Sequence, residues 1–132
     1  MFKKVEKKTI KVDKKYQPII VEWQEQLRSG KYKQAEGQLV YYGKYCCLGV
    51  FALNSCFAPI MEGQTLFTDL MKVESDIEPT EKEILFSEFL KIETREEFNR
   101  QNLQNTFTSL NDDDELSFDN IAKWIDEHIE FV

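Results

Sequence analysis

Tyr45-Cys46-Cys47-Leu48-Gly49-Val50-Phe51-Ala52-Leu53-Asn54-Ser55-Cys56-Phe57 is the stretch that decides the fold. From Cys46 to Phe57 the chain is almost continuously apolar over twelve residues, too long for a typical strand. The run predicts a central helix buried on most sides. Gly49 inside it costs up to about 1 kcal/mol relative to alanine. Its expected justification is close approach of another element, with Leu110 or Phe118 as the expected neighbour.

Working outward toward the N-terminus, Pro18 sits where the first turn of a helix tolerates it. Ile19, Ile20, Trp23 and Leu27 follow at helical spacing, and Ser29-Gly30 stops the helix. Residues 31–45 read as a hairpin: Gln38 to Tyr41 is β-prone, Tyr42-Gly43-Lys44 supplies the turn, and Tyr45 begins the return. Residues 1–15 are lysine-rich and form either a basic arm or an edge strand at Thr9 to Val12, where lysines would blunt the edge.

Toward the C-terminus, residues 58–77 make a longer connection with a possible strand at Thr65 to Phe67. Two capping boxes follow. Thr80 with Glu83 opens a helix carrying Ile84, Leu85, Phe86, Phe89 and Leu90, and Thr94 with Glu97 opens one carrying Phe98, Asn102 and Leu103. Ser117 caps a last helix whose apolar stripe is Phe118, Ile121, Ala122, Ile125 and Ile129. The expected architecture is α+β: one small domain over residues 16–132, a buried central helix, an N-terminal β-hairpin and surrounding helices. The last helix should pack against the central one, because an apolar run and a lone stripe each need a partner.

At 132 residues the chain can bury a core without disulfides or metal. Three cysteines is an odd count, and adjacent Cys46 and Cys47 could bridge only through a strained ring. Reduced thiols in a reducing compartment are the plain reading. With no apolar run resembling a signal peptide or a membrane span, the expected location is cytoplasmic and no membrane partner is expected. Residues 1–45 carry eleven Lys/Arg against five Asp/Glu, and residues 46–132 carry six against nineteen. So acidic a second part repels phosphate and disfavours nucleic acid. Such a dipolar molecule suits charged protein partners, or a homo-oligomer.

Three groups of residues invite a chemical reading. Cys46 or Cys47 at a helix start, with His128 downstream, has the order of a thiol nucleophile and its base. However, His128 is the sole histidine, no third group is identifiable, and a nucleophile at the head of so apolar a run would be buried. An enzyme is therefore not expected. Asp112, Asp113, Asp114 and Glu115 lack EF-hand spacing and read as a turn before a helix, so neither a metal nor a cofactor is expected. Asn111 and Asp112 follow Leu110 as short polar side chains able to brace a turn. Arg28, Lys31, Tyr32, Lys33 and Gln34 form a basic-aromatic turn. It is either a binding patch for a partner or a small anionic ligand, or an exposed turn with Tyr32 folded onto the core.

Trp23, then Leu27-Arg28-Ser29-Gly30-Lys31-Tyr32-Lys33-Gln34, Tyr45-Cys46-Cys47-Leu48-Gly49-Val50, Leu110-Asn111-Asp112 and Ser117-Phe118-Asp119-Asn120-Ile121-Ala122 resemble a family of small proteins found on bacteriophage and prophage genomes. More distantly the chain is similar to a bacterial family of unknown function with a Cys-x-Leu-Gly segment and a C-terminal Asn-Asp before a helix. The resemblance implies no particular activity. It implies a phage setting, where small acidic accessory proteins bind host or defence components, and hence the host cytoplasm. By that analogy the expected function is non-enzymatic binding of a host macromolecule, with inhibition of a defence component as its effect; the alternative, from the basic-aromatic turn, is a small-ligand or nucleotide-binding protein that sequesters its ligand.

Overall fold

In the computed structural model, which describes residues 10–55, 80–94 and 102–132, five helices among those residues share one core. They are α1 (Gln17–Arg28), α2 (Cys47–Ser55), α3 (Glu81–Leu90), α4 (Leu103–Asp112) and α5 (Phe118–His128). Strand β1 (Ile10–Val12) pairs in parallel with β4 (Ile129–Phe131), and β2 (Val40–Tyr41) pairs antiparallel with β3 (Lys44–Tyr45). The architecture is a small single-domain α+β fold.

Helix α2 is its centre. Leu48, Val50, Phe51 and Ala52 are buried, and the helix touches α1, α3 and α4. Trp23 of α1 has no exposed surface and lies edge-on to Phe86 of α3 and Phe107 of α4, each at 5.0 Å between centroids. Its indole N–H donates to the Cys47 carbonyl at 2.8 Å, so the one polar atom of the largest core side chain is satisfied. Phe51 stacks on Phe86 at 3.6 Å. Close approach does explain Gly49, but the neighbour is not Leu110 or Phe118. A Cβ there would lie 2.8 Å from the Leu39 carbonyl carbon and overlap its oxygen. The backbone just before the hairpin, with Leu39 itself fully buried, crosses α2 at the glycine.

Local signals set several helix starts. Thr80 and Glu83 form the reciprocal capping box of α3, and the Ser117 hydroxyl accepts from the Asn120 amide at 3.2 Å to cap α5. Elsewhere the structure corrects the sequence reading. Asn102 is extended and caps α4 through the Asn105 amide, so it begins a helix instead of continuing one from Thr94. Leu110-Asn111-Asp112 is the last turn of that helix, and no helix was expected over Leu103–Asp112 because Gln, Asn, Thr and Ser leave its apolar stripe sparse. Helix α5 stops at His128. Ile129 is buried in β4, whose register with β1 sets Ile10 opposite Ile129 and Val12 opposite Phe131. The hairpin turn is Tyr42-Gly43, with Lys44 already in the return strand. The helix expected to run to Phe57 is described as far as Ser55, and the strand expected at 65–67 lies outside the described residues.

Candidate functional site

The amides at the start of α2 need acceptors, because the first four N–H groups of a helix have none within it. Here they come from two unlike sources. The Cys46 thiol, one residue before the helix, accepts from the Gly49 amide at 3.4 Å, a sulfur acting as the cap. The Cys47 amide donates to Asn111 Oδ1 at 3.2 Å, an acceptor 64 residues away on α4. That same oxygen accepts from Gln34 Nε2 at 2.8 Å, and the amide end of Asn111 donates to the Ala35 carbonyl at 2.7 Å and to Asp112 Oδ1 at 2.8 Å. Gln34 also donates to the Leu116 carbonyl at 2.7 Å. Asn111 is 1 % exposed, so each bond replaces water that cannot reach it. The first and last signatures of the sequence meet at this side chain.

Both thiols belong to that joint. Cys46 and Cys47 are free and buried, and Cys47 Sγ donates to the Phe107 carbonyl at 3.6 Å. Burial pushes the Cys46 thiol up to about 11. Burial, then the charges of Cys46 and Asp112, pushes Cys47 well above the ordinary thiol range. A thiolate is what a nucleophile needs, and this environment opposes it. His128 sits at the far end of α5, its ring stacked on Trp124 at 4.4 Å with Nδ1 2.9 Å from the Trp124 carbonyl oxygen.

The seven residues singled out from sequence divide into two sets. Gln34, Asn111 and Asp112 bond within the fold, and Arg28, though exposed, is engaged by an ion pair. Arg28 Nη2 donates to Asp126 Oδ2 at 2.7 Å, while Gln24 Nε2 donates to the other oxygen of Asp126 at 2.7 Å, fastening α1 to α5. Lys31, Tyr32 and Lys33 form the surface. Both lysines are exposed, and Tyr32 is half-buried, with its ring edge-on to Tyr45 at 6.0 Å and its hydroxyl donating to Asn54 Oδ1 at 2.9 Å. Tyr45 bonds the same segment through its backbone: its amide donates to the Lys33 carbonyl and its carbonyl accepts from the Ala35 amide, both at 2.8 Å. Turn and hairpin are thus one substructure.

A shallow cleft of about 230 Å³ opens beside Tyr32, lined by Glu22, Glu25, Gln26, Ser29, Lys31 and Asn54 as well. Lys82 of α3 bridges to Glu22 at 2.9 Å. The cleft is thus bordered by charges of both signs, Glu22 and Glu25 against Lys31 and the Lys82 that pairs with Glu22. Asp113, Asp114 and Glu115 are exposed between α4 and α5, and no cluster able to hold a metal occurs among the described residues. Nor is any helix among them long and apolar enough to cross a membrane.

Sequence reasoning passed over the hairpin tip. Tyr41 and Tyr42 are exposed, with their rings edge-to-face at 4.5 Å. The signal available was the Tyr-Gly pair at a two-residue turn, where Asn-Gly is the ordinary choice. No protein-family model, no curated protein and no solved structure matches the chain.

Proposed function

We propose that this chain is a phage-type accessory protein that binds a host protein without catalysis, in the host cytoplasm, and thereby inhibits a host or defence component. The observation that carries the reading is that Lys31 and Lys33 are exposed on a segment held from behind by Gln34, Ala35 and Asn111. A charged surface fixed before binding loses little conformational entropy on association. Residues 31–45 hold three lysines and one glutamate, in a protein of net charge −7, so the face differs in sign from the molecule as a whole. That contrast favours the approach of an acidic surface to this segment. The sealed thiols support a binding role over a thiol reaction. The residues resembling phage proteins supply the setting.

Affinity capture from a bacterial lysate tests this, with wild-type and Lys31→Glu/Lys33→Glu baits. Arg28 is left intact because it fastens α1 to α5. A protein retained by wild type and released by the double variant supports the reading. Identical backgrounds from both baits reject it.

A further inference from the structure

Tyr42 and Gly43, the two central residues of the β2–β3 turn, both have positive φ, 45° and 77°. That geometry is the type I′ hairpin turn, which favours Asn or Gly at the first position because a bulky side chain there meets its own backbone. Tyr42 accepts this strain while its side chain remains 79 % exposed. Burial therefore does not offset it. Tyr41, 45 % exposed, packs against it with the rings 80° apart, so each ring limits where the other can go. A strained backbone that carries a solvent-facing aromatic pair is a feature that clusters at binding sites.

We infer that the Tyr41–Tyr42 tip is a preformed anchor that inserts into an apolar pocket with an acidic rim on the protein partner. The inference rests on the reading of the chain as a protein binder and names the group that carries its affinity. Tyrosine suits the role because it offers a large contact area for only two side-chain torsions, and the turn has already set the direction of the ring. The acidic rim follows from charge. Lys44 is directly opposite Tyr41 in the hairpin register, Lys33 is joined to Tyr45 by its carbonyl, and both lysines are exposed. Nucleic acid can also stack on tyrosine, but residues 46–132 carry nineteen acidic against six basic side chains and repel its backbone.

The test begins with Tyr42→Asn, which keeps the turn because asparagine is favoured there. Its Tm should equal the wild-type value or exceed it by up to about 4 °C. A drop of more than about 4 °C makes the ring a structural element and overturns the inference. Next, a benzoylphenylalanine photo-crosslinker is placed at position 42 of the full chain in bacterial cells, and in a control at exposed Lys123 of α5. The expected result is a discrete protein adduct from position 42 alone. The adduct partner, once purified, should bind wild type and bind Tyr42→Asn about 30-fold more weakly, the effect of losing an interface hot spot. Lys44→Glu should also weaken it, more so at low salt. Equal affinity for wild type and Tyr42→Asn rejects the anchor while the binding function stands. An adduct only with a second copy of this chain, or tip-dependent retention on a single-stranded thymidine oligonucleotide, assigns the tip elsewhere and also rejects it. With neither an adduct nor a captured protein, both readings fall.

Discussion

Asn111 Oδ1 accepts the Cys47 backbone amide at 3.2 Å, so the start of the central helix is capped by a residue from α4. The Cys47 carbonyl is held on its other side by Trp23. One residue, Cys47, thereby joins α1, α2 and α4, and the surface segment at Gln34 and Ala35 hangs from the same asparagine.

Asn111→Ala removes one acceptor oxygen and two N–H donors from a buried network and leaves Cys47 N–H, Gln34 Nε2, the Ala35 carbonyl and Asp112 Oδ1 short of partners. The expected loss is roughly 2–4 kcal/mol, measured by chemical denaturation. Asn111→Asp keeps the acceptor but sets a second carboxylate against Asp112 and forfeits the bond to Ala35. At neutral pH it should destabilise at least as much as alanine, and it should recover part of the loss as pH falls toward the carboxylate range. Equal stability of Asn111→Ala and wild type would show that the network is dispensable.

Gly49→Ala normally gains helix propensity, by up to about 1 kcal/mol. Here the new Cβ runs into the Leu39 carbonyl, which is backbone and cannot swing aside. The variant should be destabilised, by about 1–3 kcal/mol as for overpacked cores. A stabilised variant in thermal melts would contradict the crossing of Leu39 over α2.

Cys46 and Cys47 titrate above the ordinary thiol value of 9.0 when folded. A raised folded value means that their contribution is complete below the unfolded pKa and is lost as pH rises through the folded one. Stability should therefore fall between about pH 9 and 11, and a Cys46→Ser/Cys47→Ala variant should show a shallower decline over that window. Iodoacetamide should label both thiols slowly in the native protein and rapidly in denaturant. Fast native labelling with a low apparent pKa would restore the nucleophile reading.

Asp126 is affected in opposite directions. Burial raises its pKa, but hydrogen bonds from Arg28 and Gln24 and the Arg28 charge outweigh burial, so it lies below the usual 3.8. Its contribution is present above the unfolded value and is lost as pH falls through the folded one. Arg28 and Asp126 side chains are 44 % and 57 % exposed, so Arg28→Ala should cost no more than about 1 kcal/mol. An NMR titration of Asp126 in that variant should return its pKa toward the usual value.

Several features were legible from sequence because their causes lie within a few residues. Pro18 and the Ile19, Ile20, Trp23, Leu27 stripe specify α1, the Thr80–Glu83 box starts α3, Ser117 starts α5, and the apolar run from Cys46 announces a buried helix. The basic-aromatic turn was recognisable as a turn, since Gly30 follows the last helical residues. Helix α4 escaped notice because Gln, Asn, Thr and Ser leave its apolar stripe sparse, and because Asn111, polar but buried, spends its hydrogen bonds on tertiary partners.

By itself, then, the sequence determined where short-range signals act: caps, stripes, stops and the class of fold. Only the tertiary structure decided which of the marked residues face water. Asn111 and Gln34 have the composition of a binding surface, yet partners 77 and 82 residues away turn them inward, while Arg28 stays exposed but is tied to Asp126, 98 residues on. Gly49 faces Leu39 and not α4 or α5, and Ile129 leaves the α5 stripe for a strand paired with Ile10. Such choices depend on contacts between chain segments far apart in sequence, where no local propensity or spacing acts. The exposed tyrosines became visible for the same reason, since only a finished core shows which aromatic rings it has left outside.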